Sequence, residues 1–212
     1  MIQAAVLIQP IPDLTQISVS KSQEKVFEKG PRLINPADRI ALEAALLLQD
    51  KNLLEVTTLC AAGLEGEKLL RESMALGSRR ACLINNERII HGDPFVIARA
   101  LGSALRKLNV ELIFTGPGQI GPRVSEETKA SFCVGVEAVS LEGRELKVDE
   151  RTILLPAVLC ISGGFQPRMA NPIKIMKAAK AEVVRWDATV LNLSSDSLVP
   201  GAQPRRFYLP ND

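Results

Sequence analysis

The strongest constraint on this chain is the alternation of short apolar runs with capped, amphipathic stretches. Ile2 to Gln9, Leu54 to Ala61, Ala81 to Asn85 and Val110 to Phe114 are runs dominated by Val, Ile, Leu and Ala, short enough to be buried strands. Between them lie helix signals. Asn35-Pro36-Ala37-Asp38 offers a cap and a first-turn proline, and Asp93-Pro94 repeats the device. The first of these helices should bury Ile40, Ala44, Leu47 and Leu48, and the turn Gly63 to Gly66 opens another that ends near Gly77. A strand–helix order sustained in this way predicts an α/β fold, a doubly wound and mostly parallel sheet with helices on both faces.

Beyond Ser131 the pattern changes. Phe132 to Val139, Glu145 to Val148 and Arg151 to Ile161 read as strands joined by tight turns, one of them Glu142-Gly143-Arg144. Near the N-terminus, Asp13 to Ser20 is polar with strand-like alternation. A lysine-bearing helix is expected from about Ile173 to Ala181. The division that follows is a domain over residues 1–185 and a C-terminal arm over residues 186–212, where Pro200, Pro204 and Pro210 interrupt any period. Phe207, Tyr208 and Leu209 suggest that the arm lies against something.

Composition narrows the function classes. Lys+Arg 26 against Asp+Glu 24 is too balanced for a polyanionic partner, and Phe 6, Trp 1 and Tyr 1 leave little surface for stacking bases, so nucleic acid is not an expected partner. The single histidine, His91, removes most imidazole chemistry and any metal site needing two His ligands, and reads as a solvated turn residue. Cys60, Cys82, Cys133 and Cys160 lack CxxC spacing and border apolar runs. Buried free thiols in a reducing compartment are the leading reading, with a disulfide pair as the minority one. MIQAAVLIQPIPD is too short for a membrane span and lacks a basic leader, so a cytoplasmic protein without membrane insertion is expected.

Two segments carry chemistry. Thr115-Gly-Pro-Gly-Gln-Ile-Gly-Pro122 follows a strand and opens a helix, where free N–H groups and the helix dipole favour a phosphate. Gly116, Gly118 and Gly121 would admit a close ligand. The segment is neither a Walker loop nor GxGxxG, and on spacing alone it is first of all an ordinary turn. Asn35-Pro36 belongs to the same end of the sheet, where open α/β sheets bind ligands, though helix capping alone explains it. From Arg168 to Arg185 there are five basic residues and one acid. Lys174, Lys177 and Lys180 share a helical face that is either solvated or aimed at an acidic protein. An enzyme using Asp13 or Asp38 is a third reading, without a paired base and nucleophile.

At this point a family resemblance emerges from four blocks spread between Ile2 and about Lys180. They are Pro12-Asp13 with INPADRIALEAAL, LLRESMALGSRRACLI, GQIGPRV, and LLPAVLCISGGFQPRMANPIKIMKAAK. In order and spacing the chain resembles the small (beta) subunit of electron transfer flavoproteins, including Fix-type bacterial members. The resemblance implies a Rossmann-like sheet of the adenine-nucleotide-binding type. It implies a heterodimer with an alpha (large) subunit that holds most of the redox FAD, moving electrons from a dehydrogenase to a quinone oxidoreductase or other acceptor as a carrier rather than an enzyme. AMP, or a second FAD, would lie against Asn35, Pro36, Gly116, Gly118, Gln119, Ile120, Gly121 and Pro122. Arg168, Met169, Pro172, Ile173, Lys174 and Lys177 would dock the partner, and the arm would wrap the large subunit.

The chain also departs from that pattern. Thr115-Gly116-Pro117 runs directly into Gly118 without the family's acidic insert, Ala37 replaces an aromatic residue, and Pro172 with Ile173 replaces a docking leucine. The ligand at the shortened loop therefore stays open, and so does a paralogue acting as a non-redox nucleotide-sensing or interaction domain, a homodimer if isolated.

Overall fold

The structure is a computed structural model describing residues 1–20, 25–28, 30–90 and 93–201. In chain order the strands and helices are β1 Ile2–Leu7, β2 Pro10–Pro12, β3 Ile17–Ser20, β4 Lys25–Glu28, β5 Arg32–Ile34, α1 Pro36–Asp50, β6 Leu54–Ala61, α2 Gly66–Leu76, β7 Arg80–Ile84, α3 Glu87–Ile90, α4 Pro94–Lys107, β8 Leu112–Thr115, α5 Ile120–Thr128, β9 Ser131–Val136, β10 Val139–Glu142, β11 Glu145–Val148, β12 Arg151–Ile153, β13 Ala157–Ile161, α6 Pro172–Lys180 and β14 Val184–Trp186.

Seven strands form one sheet in the order β14-β7-β6-β1-β8-β13-β9, and every pairing in it is parallel. Parallel strands need crossover helices, and these bury both faces. Two apolar clusters result. One joins Leu42, Leu46, Leu70 and Phe114 beneath α1 and α2; the other joins Ile84, Val96, Leu105 and Val158 beneath α4 and α5. The expected doubly wound α/β architecture is present, with the smaller antiparallel pieces β2-β5, β3-β4 and β10-β11-β12 added to it.

The helix ends follow the capping signals. Asn35 Oδ1 accepts from the Ala37 N–H at 3.0 Å, and Pro36 sits in the first turn, where it has no N–H to satisfy. Asp93 Oδ1 accepts from Phe95 and Val96 at 3.1 Å each. Gly77 ends α2 with φ +139, a conformation that a side chain would strain.

Four details differ from the sequence reading. On α1 the buried face is Ala41, Leu42, Ala44, Ala45 and Leu48, while Leu47 is 42% exposed and Ile40 half-buried. The apolar stripe is wide, and the sheet selects its centre one residue earlier than Leu47. Asp13–Ser20 is not one strand: Asp13 caps a turn of 3-10 helix over Leu14–Gln16 before β3 begins. Arg151–Ile161 divides at Pro156, which has no N–H for a ladder; β12 ends a small antiparallel sheet and β13 enters the main one. The strand expected over Phe132–Val139 stops at Val136 and lies parallel to β13 in the main sheet, and Val139–Glu142 is a separate, antiparallel strand.

At the far end, β14 pairs with β7 through Trp186 and Ile84, and Leu191 and Leu198 are buried in the α4–α5 cluster. Residues 186–199 thus lie on the body of this chain. The expectations for Phe207, Tyr208, Leu209 and His91 fall outside the described residues.

Candidate functional site

Strand order locates the site. From β1 the chain moves outward to β6 and β7, then crosses to the other side of β1 to make β8. The loops leaving β1 and β8 therefore diverge, and such a switch point leaves a crevice at the carboxyl ends of the strands.

Asp38 holds the two loops at this point. It is the third residue of α1 and fully buried, and its Oδ2 accepts from the Gln9 N–H at 2.8 Å while Oδ1 accepts from the Gly116 N–H at 3.0 Å. Both β1 and β8 are thus fastened to the start of α1, and Asn35 N–H adds a 3.3 Å bond to the Gln9 carbonyl. Burial pushes the Asp38 carboxyl up to about 7, against the opposing pull of the two N–H groups. Each oxygen is already engaged by backbone, so the side chain is a fastening for the site rather than an acid or base open to a substrate. Asp13, the other acid singled out, spends its carboxylate on Thr15 and Gln16, whose hydrogen bonds hold it below the usual range.

Beside the fastening lies a crevice of about 220 Å³, lined among others by Gln9, Arg32, Ala62, Glu65, Ile97 and Ile120. Its walls come from the ends of β1 and β6, from α4, and from the first residue of α5. Gln9 Nε2 is buried within 4 Å of where a Cβ on Gly118 would stand, and among the described residues no group accepts its hydrogens. A buried donor without an acceptor costs free energy, so this amide marks a place for an acceptor from a ligand or water.

The glycines divide by cause. A Cβ on Gly116 would fall 2.7 Å from Ala37 Cβ and 2.8 Å from Asp38 Oδ1, and one on Gly121 2.9 Å from Thr115 Cγ2. Both are glycine because the protein itself occupies the space. Gly118 alone of the three is open, with Gln9 at 3.8 Å as its nearest neighbour. The exposed run Pro117-Gly118-Gln119 leads into α5, whose first turn receives no side-chain cap; Pro122 is half-buried within that helix.

Of the residues expected at a nucleotide, Ile120 lines the crevice, while Asn35 and Pro36 stand at the adjoining helix start with the Asn35 carbonyl engaged as a cap. Gln9, Arg32, Ala62, Glu65 and Ile97 were not singled out from the sequence. Gln9 and Ala62 could have been, since Gln9 lies two residues beyond β1 and Ala62 directly follows β6, both at the carboxyl ends of central strands.

A second region lies on the α2 side. Asn171 caps α6, its Oδ1 accepting from the Lys174 N–H at 2.8 Å, and Pro172 occupies the first turn. Only Ala178 of this helix is buried. Met169 is 93% exposed, Met176 68% and Ile173 66%, and Ile175 is also exposed, among Lys174, Lys177 and Lys180. Arg168 behaves differently. Its Nε and Nη2 donate to Glu43 Oε2 and Oε1 at 2.8 and 2.9 Å, and Nη2 also reaches Asp50 at 2.8 Å.

All four cysteines are free thiols, with Cys60, Cys82 and Cys160 buried; burial pushes Cys82 up to about 12. Among the described residues there is no cluster of His, Cys, Asp and Glu that could hold a metal, and no helix is long and apolar enough to cross a membrane.

Over 208 residues the chain is 29% identical to the FixA protein of Azorhizobium caulinodans, covering 86% of this chain and 74% of that protein. The electron transfer flavoprotein subunit beta of Clostridium acetobutylicum is 25% identical over 213 residues, 91% and 81% of the two chains. That of Thermoanaerobacterium thermosaccharolyticum is 29% identical over 152 residues, 68% of this chain and 58% of the relative. The profile of the electron transfer flavoprotein domain matches residues 25–191, a span that takes in Asp38, residues 115–122 and α6, and the chain belongs to the electron transfer flavoprotein family.

Proposed function

We propose that this chain is the small subunit of an electron transfer flavoprotein, paired in the cytoplasm with a large subunit that carries most of the redox FAD. The pair moves electrons from a dehydrogenase to a quinone oxidoreductase or another acceptor. The observation that carries the reading is the segment from Met169 to Lys180, which leaves Met169, Ile173, Ile175 and Met176 in solvent around three lysines. Exposed apolar side chains clustered in this way signal a protein surface, and the lysines select a partner face that is apolar at its centre and acidic at its rim.

The electron chemistry belongs to the flavin. This chain's part is to close one side of a nucleotide site and to present a docking surface. A cavity of about 220 Å³ is below the roughly 300–1,000 Å³ of drug-sized sites, so it suits a mononucleotide such as AMP better than a second FAD. Gln9 Nε2 would donate to that ligand. The open backbone of Gly118 and the uncapped first turn of α5 would face its phosphate, with Asn35 and Pro36 beside them.

Co-expression with the large subunit tests the reading. The expected product is a yellow heterodimer that releases AMP on denaturation, identified by chromatography of the supernatant. A stable, colourless homodimer that retains neither AMP nor FAD when the large subunit is present refutes it, and leaves an interaction domain of the same fold.

A further inference from the structure

The segment from Arg168 to Lys180 buries almost nothing of its own, yet it is tied to the body at both ends. At its start the buried Glu43 of α1 accepts from the Arg168 backbone N–H at 3.1 Å as well as from the guanidinium, and Asp50 of α1 takes a further guanidinium bond. At its end Arg71 of α2 extends Nη1 to the carbonyl oxygens of Ala178, Ala179 and Ala181 at 3.0, 2.9 and 2.5 Å. Ala178 and Ala179 lie in the last turn of α6 and Ala181 directly follows it, at the negative end of the helix dipole; the Ala178 carbonyl also accepts from the Ala181 N–H at 3.2 Å. Arg71 is itself aimed by Glu67, one turn earlier on α2, through Nε at 3.2 Å and Nη2 at 2.7 Å, and Glu67 also binds Arg185 beyond the helix.

We infer that Glu43 and Arg71 are positioning residues for the docking segment: two charge-assisted clamps, one on α1 and one on α2, hold it in the shape in which its apolar side chains face outward. The clamps do what a hydrophobic underside would otherwise do. A helix of nine residues with one buried side chain has little packing to hold it, and short helices are marginal in water by themselves. Apolar groups kept free for a partner cannot also anchor the helix, so its attachment falls to backbone and guanidinium groups. Arg168, expected from the sequence to touch the partner, has its fork turned inward on this reading, and Met169 beside it is the residue presented. The docking role rests on the function proposed above, whereas the clamps are judged on the isolated chain.

Hydrogen exchange on the full chain provides the test. Arg71→Ala should raise exchange roughly tenfold across the amides of α6, the loss expected from one or two charge-assisted bonds, with β1 and β6 unchanged. Glu43→Ala should do the same for residues 168–171. Glu43→Gln, which keeps one acceptor for Arg168, should recover part of the protection. Arg71→Lys should not, because a single ammonium cannot reach three carbonyls and Glu67 together. Unchanged exchange in the segment overturns the inference. So does a rise spread evenly through the sheet, which would make both residues general stabilisers, and so does equal rescue by Arg71→Lys.

Discussion

The Asp38 fastening gives stability an unusual dependence on pH. Its carboxyl is raised from the ordinary 3.8 to about 7 in the folded chain. Between those values the native state holds a proton that the unfolded state has lost, so this group's contribution to stability falls as pH rises. At 1.36 kcal/mol per pKa unit, the contribution lost between about pH 4 and pH 8 is about 4 kcal/mol. Carboxylates held low, such as Glu67 with Arg71 first among its partners, act oppositely and only nearer their own range.

Asp38→Asn removes the titration while keeping the volume. It also replaces one acceptor oxygen with an N–H₂ group facing a backbone donor, which should cost about 1–3 kcal/mol at any pH. Urea unfolding followed by the single tryptophan, Trp186 on edge strand β14, measures both proteins across the range. The wild type should be clearly the more stable near pH 4. Its advantage should shrink by about 4 kcal/mol toward pH 8 and reverse there. Parallel curves for the two proteins would show that Asp38 titrates normally and would refute burial as the dominant influence on it.

Other expectations follow from geometry. Gly116→Ala forces a Cβ to within 2.7 Å of Ala37 and should cost about 1–3 kcal/mol, seen as a lower Tm, whereas Gly118→Ala, with nothing nearer than 3.8 Å, should leave Tm unchanged. Gln9→Leu removes the unpartnered amide and should lower the nucleotide recovered from the heterodimer without lowering Tm; undiminished recovery would separate Gln9 from the ligand. Met169→Ala with Ile173→Ala should weaken association with a dehydrogenase partner about tenfold by surface plasmon resonance, and Lys177→Glu should reduce its salt sensitivity. Native thiol titration should find at most one reactive cysteine, the half-buried Cys133.

The architecture could be read from sequence because its signals are local. A run such as Leu54–Ala61, bounded by a turn and a helix, states its own structure, and Asn35-Pro36 and Asp93-Pro94 act within one helical turn. What escaped were consequences of strand order. Nothing near Asp38 says that its two oxygens will meet Gln9 and Gly116, and nothing near Val184 says that it will join β7 at the sheet edge. Arg168 shows the same limit: a basic residue in a basic stretch looks like part of a charged surface until α1 brings Glu43 and Asp50 to it. Gly116 and Gly121 were read for a ligand's approach, while the neighbours that need the space come from α1 and from Thr115.

The position of β1 at the middle of the sheet has a consequence during synthesis. Ile2–Leu7 is made before the other described strands, but the strand that covers its second edge, Leu112–Thr115, cannot arrive until residues 8–111 have been made. At 5–20 residues per second that interval is roughly 5 to 20 s, during which an apolar strand has one ladder unpaired. Truncated chains ending before Leu112 should therefore collect in the insoluble fraction, and those extending past Ile161, where β13 covers β8 in turn, should not.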